Sequence, residues 1–163
     1  MGLLSRNKGK SFEREIGQRF RTALTPCLPT LTVRRSSQAE RAYEADLIIE
    51  GPDVPAFITT LWVECQHAKR AHIDPPGKHR QAVRDSAEFA ARTRVVRTPV
   101  VCWRANGERT VWLTATMGDL ASLLALPRPD VGADILATVA LDAALGALAS
   151  RSLPLGAPRG GAF

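Results

Sequence analysis

The sequence predicts a mixed α/β domain in which a sheet is flanked by helices. Three observations carry this expectation. A segment near the start places apolar residues three and four apart, the period of a helix with one buried side. Several short runs are rich in β-branched and aromatic residues and are separated by Gly, Pro and Asn, as strands and their turns are. A second helical pattern stands between those runs, as the crossover between parallel strands does.

Residues 10–24 form the first element. Phe12, Ile16, Phe20, Ala23 and Leu24 make its apolar side, Ser11 is a candidate N-cap and Pro26 stops it. At helical spacing Phe12, Ile16, Phe20 and Leu24 span an arc of about 120°; Glu13 falls inside it, and Arg14, Arg19 and Arg21 fall outside. A carboxylate on an apolar face either meets a charged or hydrogen-bonding group or sits at the edge and reaches solvent. Residues 31–35 and 43–50 read as strands on either side of the polar stretch 36–41, and Gly51-Pro52-Asp53 reads as a turn. Residues 57–66 are the strongest strand. Alternation puts Leu61, Val63 and Cys65 on one face and Trp62, Glu64 and Gln66 on the other.

Asp74-Pro75-Pro76-Gly77 reads as a loop, and residues 78–94 as a helix whose buried side is Ala82, Val83, Phe89 and Ala90. A hairpin follows. Residues 100–103 and 110–113 flank Asn106-Gly107, a pair that favours positive φ at both turn centres. Residues 117–126 read as a helix closed by Pro127 and Pro129, and the alanine-rich residues 131–150 as another. The expected division is a main domain over residues 1–128, a helical C-terminal extension over 129–152 and a flexible tail over 153–163, where Pro, Gly and Arg collect.

Composition narrows the function. A chain of 163 residues that is 45% hydrophobic can bury one real core. No apolar run approaches the roughly 20 residues of a membrane span, and the apolar stretch of MGLLSRNKGK is too short for a signal peptide. Cys27, Cys65 and Cys102 are odd in number and widely spaced, with neither zinc spacing nor a disulfide framework, so the expected compartment is a reducing cytoplasm. Twenty-two basic residues against sixteen acidic ones leave a net charge of +6, and the pI is near 9.9. Such a domain attracts polyanions, of which nucleic acid is the commonest, although a merely soluble basic protein would show the same total. The distribution favours the first reading: Arg6, Lys8, Lys10 and Arg14, then Arg34 and Arg35, then Lys69, Arg70, Lys78, Arg80 and Arg84 bracket a pair of carboxylates.

Those carboxylates are Asp46, at the head of Leu47-Ile48-Ile49, and Glu64, at the end of Leu61-Trp62-Val63. The link through Gly51-Pro52 is short enough for the two strands to pair. Two acids meeting at one sheet edge can hold a hard divalent cation, which phosphodiester hydrolysis uses to neutralise phosphate and acidify water. The alternative is a pair of solvated strand-end charges.

The ordered set Lys8-Gly9-Lys10 with Phe12-Glu13-Arg14-Glu15, Val33-Arg34-Arg35-Ser36-Ser37, Ala45-Asp46-Leu47-Ile48 and Trp62-Val63-Glu64-Cys65-Gln66 resembles the PD-(D/E)XK nuclease superfamily, in particular its Holliday junction resolvase-like branch and phage relatives. The resemblance runs from about Ser5 to Leu126. It implies a restriction-endonuclease-like core within residues 1–128: a helix, a three-stranded meander, a crossover helix, then further strands in a mixed sheet flanked by helices. It implies a Mg²⁺-dependent endodeoxyribonuclease, with Mn²⁺ able to substitute, acting on DNA that includes branched forms, as a homodimer. Asp46 and Glu64 match the direct metal ligands, and Glu13 the acid that reaches toward the metal or its waters. Ser36 or Ser37 falls where a serine lies near the scissile phosphate, and Arg34, Arg35, Lys69 and Arg70 would contact DNA. The family carries lysine two residues after the glutamate, where this chain has Gln66. Glutamine can orient a water but is not a base, so the alternative is a DNA-binding protein that keeps the fold with weakened or no catalysis. Lys69 is the nearest substitute cation in sequence.

Other candidates carry less. His67, His72 and His79 with Cys65 match no zinc spacing. Trp62, Trp103 and Trp112 fit sheet packing more often than base stacking. Gln81 falls on the polar side of its helix, and no RNA-reading motif is present.

Overall fold

The computed structural model describes residues 3–37, 39, 44–127, 129–130 and 132–153, with residues 3–8 as backbone only. One mixed six-stranded sheet organises it, flanked by helices on both faces. The first helix, α1 (Leu3–Leu24), starts seven residues before the expected residue 10. The expected apolar side is the buried one: Phe12, Ile16, Phe20 and Leu24 are almost fully enclosed. β1 (Thr32–Arg35) and β2 (Leu47–Glu50) follow as an antiparallel pair. β2 is shorter than expected: Glu44, Ala45 and Asp46 precede it in irregular backbone, and Tyr43 lies outside the described residues.

Gly51 makes the turn after β2 with φ +155°, and a Cβ there would stand 2.6 Å from the Thr30 carbonyl oxygen. This close approach requires glycine. The strand expected from residue 57 begins only at Leu61, because a helical turn, α2 (Ala56–Thr59), follows Pro55. Proline fixes φ near the helical value and lacks the N–H that a helix start leaves unpaired. β3 (Leu61–Ala68) then runs two residues past Gln66.

After a tight turn at Arg70–His72, α3 (Pro75–Thr93) begins where a loop was expected. The Asp74 carboxylate accepts the Gly77 N–H at 2.9 Å and caps it. The inward side also differs from the expected one: His79, Ala82, Ser86 and Phe89 are buried, whereas Val83 is exposed. α3 crosses from β3 to β4 (Thr98–Ala105), the parallel pair of the sheet. β4 and β5 (Trp112–Thr116) form the expected hairpin. Its loop is longer than two residues, and of the turn pair Asn106-Gly107 only Gly107 takes positive φ.

α4 (Met117–Leu124) is capped by the Thr116 hydroxyl. The segment expected as one helix over 131–150 is a strand and then a helix. β6 (Leu136–Ala140) pairs antiparallel with β5 over five residues, and α5 (Leu141–Ser152) returns to pack on α1. Alternation along Leu136-Ala137-Thr138-Val139-Ala140 suits a pleated surface, and pairing with β5 overrides the helical preference of alanine. Residues 154–163, most of the expected tail, lie outside the described residues.

The sheet order is β1-β2-β3-β4-β5-β6, antiparallel everywhere except β3–β4. The main core lies on the face covered by α1, α4 and α5 and includes Phe20, Val33, Leu47, Val63, Leu113 and Leu145. A smaller one, Ala45, Trp62, Ala82 and Phe89, lies under α3 on the other face. The two ends of the chain are joined by charge: Arg19 of α1 meets Asp142 of α5 at 2.8 Å, and Arg104 of β4 grips Glu15 through two bonds of 2.7 and 2.8 Å.

The last strand and helix are therefore part of the same sheet and core. Leu145→Ala should cost about 2–5 kcal/mol in urea unfolding, as for a buried leucine elsewhere. Ending the chain after Leu126 should abolish a cooperative transition; an unchanged midpoint would show that β6 and α5 are dispensable.

Candidate active site

β2 and β3 touch in the ladder at one place, Leu47 opposite Val63. Continuing that antiparallel register by one residue sets Asp46 opposite Glu64. There the strands part, and side chain replaces ladder: Asp46 Oδ2 accepts the Cys65 N–H at 2.9 Å. Opposed residues of antiparallel strands share a face. Leu47 and Val63 point into the main core under α1. Asp46 and Glu64 therefore belong to the opposite face, where α3 packs. Asp46 Oδ1 makes no hydrogen bond among the described residues.

Glu64 is buried, only 6% exposed. Its two oxygens are met separately: the Trp62 indole N–H donates to Oε1 at 3.1 Å, and the Lys78 ammonium lies 2.7 Å from Oε2. Burial, and next the nearby Asp46 charge, raise the Glu64 carboxyl to about 7, against the lowering effects of Lys78 and Trp62. Lys78 is itself held above its ordinary value, because attraction to Glu64 and then Asp46 outweighs its own burial. Asp46, Glu64 and Lys78 thus form one electrostatic unit.

Lys78 was not expected in this role. In the first turn of α3 it falls on the side of Ala82, Ser86 and Phe89, the side that faces the sheet. A lysine in line with buried positions at spacings of four, four and three was the available signal. It was hidden by starting the helix at residue 78 instead of 75. Lys69, the substitute suggested by sequence proximity, is exposed after the end of β3. Gln66 shares a strand face with Glu64 but is engaged with the chain that follows. Its Oε1 accepts the Asp74 N–H at 3.3 Å, and its amide approaches the His72 carbonyl at 3.5 Å. Gln66 thereby holds the segment leading into α3, which carries Lys78. Gln81, one turn further along α3, accepts from Lys78 Nζ at 3.4 Å.

Glu13 is as buried as Glu64 but lies across the sheet. It is met by Arg35 of β1, whose Nε donates at 2.6 Å, which accounts for a carboxylate within an apolar arc. Arg35 shares the α1 face with Val33. The structure therefore brings Asp46 and Glu64 together and leaves Glu13 on the other side of β3. Both sites border Cys65, whose thiol is pushed well up by burial and then by Asp46, with Cys102, Glu13 and Glu64 adding to it. No group of three or more His, Cys, Asp or Glu able to hold a metal occurs among the described residues.

Ser36 follows Arg35 and donates its backbone N–H to the Asp46 carbonyl at 3.1 Å. Its side-chain oxygen is buried with no hydrogen-bond partner among the described residues. Ser37 and Arg34 are exposed, Arg34 reaching Glu50 at 3.2 Å. Arg70 is 89% exposed, with Glu108 at 3.6 Å. The histidines do not meet. His67 stacks on Phe12, His72 is exposed, and His79 is buried under α3, where desolvation lowers its affinity for a proton.

Comparison with models of known protein families, with curated proteins and with solved structures finds no match.

The Glu64 shift sets a pH dependence. A carboxyl near 7 in the folded chain and near 4.5 in the unfolded one binds more protons when folded, so its contribution to stability is full below about 4.5 and is lost as pH rises through about 7. Glutamine mimics the protonated form. The stability of Glu64→Gln relative to the parent, measured without metal by urea unfolding, should therefore improve by up to about 3 kcal/mol between roughly pH 5 and pH 8. A pH-independent difference would mean that Lys78 fully offsets the burial of Glu64.

Proposed function

We propose that this chain is a metal-dependent DNA endonuclease of the PD-(D/E)XK type, built on a restriction-endonuclease-like core. The observation that carries the reading is the pair Asp46 and Glu64, set opposite each other where β2 and β3 part, with a lysine against one of them. An acid beside a buried acid does not help folding; burial and next the Asp46 charge raise Glu64 to about 7. Such opposition of function and stability is common at active sites. The helix, meander, crossover and hairpin order agrees with the core that the motifs imply.

Mg²⁺ fits these residues. It takes hard oxygen ligands, keeps several waters and is commonly held by one or two carboxylates plus phosphate, so a third protein acid is not required. Asp46, through Oδ1, and Glu64 would hold it, and Mn²⁺ would substitute. Bound there, a divalent cation neutralises phosphate charge and lowers the pKa of a coordinated water. The chain's own residues do the rest. Asp46 is fixed by the Cys65 N–H. Lys78 favours the ionised form of Glu64 against its burial, and once Glu64 is engaged elsewhere its ammonium is free to face a phosphate oxygen. It supplies the positive charge that Gln66 lacks. The unpartnered Ser36 hydroxyl offers a donor beside Asp46. Arg34, Lys69 and Arg70 are exposed cations for DNA phosphates; Arg35 serves Glu13 instead, and that pair lies on the α1 face, away from Asp46 and Glu64. The preferred substrate would be branched DNA, with a homodimer supplying two cuts.

A second reading rests on Gln66. Its amide is tied to the Asp74 and His72 backbone, so no group follows Glu64 on its strand to orient a water. The chain would then bind DNA without cutting it.

Labelled linear, nicked and four-way DNA incubated with Mg²⁺ or with EDTA separates the two. Cutting should appear in Mg²⁺ and vanish in EDTA. Asp46→Asn keeps an oxygen for the Cys65 N–H and should lose cutting while retaining DNA binding, as should Glu64→Gln. Binding without cutting by the parent in either Mg²⁺ or Mn²⁺ would leave the second reading.

If Lys78 is the working cation, Lys78→Ala should lower the cleavage rate about 100-fold or more, and Lys69→Ala should change it little. Equal rates for Lys78→Ala and the parent would remove Lys78 from the mechanism. Gln66→Lys removes the acceptor of the Asp74 N–H, so it should lower the melting temperature and not rescue Lys78→Ala; full rescue would show that a cation on the Glu64 strand suffices.

A further inference from the structure

Beside the carboxylates lies a second feature that the proposed reaction does not use. A groove of about 540 Å³ is lined by Arg70, Ile73, Trp103, Glu108, Arg109 and Trp112, among others. Its position follows from the sheet. Trp103 is the register partner of Gln66 across the parallel β3–β4 pair, and Trp112 faces Trp103 across the β4–β5 pair. Adjacent strands lie about 4.8 Å apart and alternate residues about 6.6 Å apart. The indoles therefore stand on the same face as Glu64, two residues along, Trp103 one strand over and Trp112 two.

The two rings lie 6.2 Å apart, inclined by 30°, and belong to neither buried cluster. Both are half-buried. Trp103 is fixed in place: its indole N–H donates to Thr114 Oγ1 at 2.9 Å, and that oxygen shares a 2.7 Å hydrogen bond with Thr138. Packing alone would have buried these rings as it buried Trp62. Instead α3 covers the Trp62 end of the face and leaves the other end open.

The rim is cationic. Arg70 leans toward Glu108 at 3.6 Å but is largely in solvent. Arg109 is exposed and makes no ion pair among the described residues. Aromatic faces flanked by the exposed Arg109 and the largely solvated Arg70 match one chemistry above others: a nucleobase on the ring and its phosphate on the guanidinium. Duplex DNA cannot offer that contact, because its bases are stacked inside. We infer that the Trp103–Trp112 groove takes unpaired bases of a DNA strand, so that the substrate of the adjacent site carries a single-stranded segment next to the bond that is cut. This inference rests on the nuclease reading for the second clause only.

The test is metal-free binding, so that cleavage cannot intervene. The full-length chain in EDTA is titrated with a short labelled oligothymidylate and with a blunt duplex of equal length. Anisotropy and intrinsic tryptophan fluorescence are the readouts. Single-strand binding should quench tryptophan emission. Trp112→Leu should weaken it about ten-fold while changing duplex affinity less than about two-fold, and Trp112→Phe should recover most of the loss, as base–aromatic stacking does generally. Arg109→Ala keeps both indoles, so it tests the groove even where the leucine variant fails to fold. It should flatten the log affinity against log salt slope for the single strand by about 0.7. Absence of quenching, or equal losses on single strand and duplex, would overturn the groove. Tighter binding of an oligouridylate than of the oligothymidylate would overturn its assignment to DNA. Quenching by a protein that never cuts would sink the nuclease reading and leave the groove; cutting without quenching would do the reverse.

Discussion

Glu64 is the constraint around which this molecule is arranged. A carboxylate out of water beside a second carboxylate is unfavourable to ionise, and only specific partners make it tolerable. Here the partners are the Trp62 indole on the same strand and the Lys78 ammonium on the helix that follows. The strand supplies one and the crossover supplies the other. The smaller core beneath α3 then has two tasks: Trp62 packs on Phe89 at 5.6 Å between ring centres while presenting its N–H to the carboxylate. Arg97 lies over the Phe89 ring at 4.3 Å and reaches Glu44 at 3.1 Å, which ties this core to the chain just before Asp46.

The route from Gln66 to Lys78 shows how a residue can matter to a site without serving in it. Gln66 bonds the Asp74 backbone, Asp74 caps α3 with its carboxylate, and Lys78 emerges in the first turn of that helix. Each contact is local, at most eight residues long. Together they fix the height at which an ammonium meets Glu64. Glutamine two places after Glu64 suits this arrangement better than lysine, since it accepts the Asp74 N–H and a lysine cannot.

What the sequence made legible followed from how local each element is. The apolar period of α1, the alternation in β3 and the hairpin about Gly107 are patterns contained within their own segments, and all three formed. The unexpected α2 was a matter of one proline that displaced the start of β3 by four residues. β6 was not legible because its strand character comes from β5, twenty-odd residues away, and alanine-rich composition points locally to helix. The pairing of Asp46 with Glu64 was legible, since consecutive strands usually pair as neighbours and each acid stands beside its strand's apolar run; the unexpected α2 in the connection did not alter this. Lys78 was not, because the expected helix began at residue 78, and a residue at a helix boundary is not read as part of its buried side. The partner of Glu13 was out of reach for the same reason as β6: Arg35 sits on a strand whose position depends on the finished sheet.

The ion pair between Arg19 and Asp142 joins residues 123 positions apart, and α1 packs against α5. α1 must therefore wait for α5, which is made well over a hundred residues later, before its apolar side is closed. Until then Phe12, Ile16, Phe20 and Leu24 are only partly covered, by strands that form in the interval. Such long-range closure slows folding and prolongs the exposure of apolar surface. Until α5 docks, that apolar face is the kind of surface that chaperones shield.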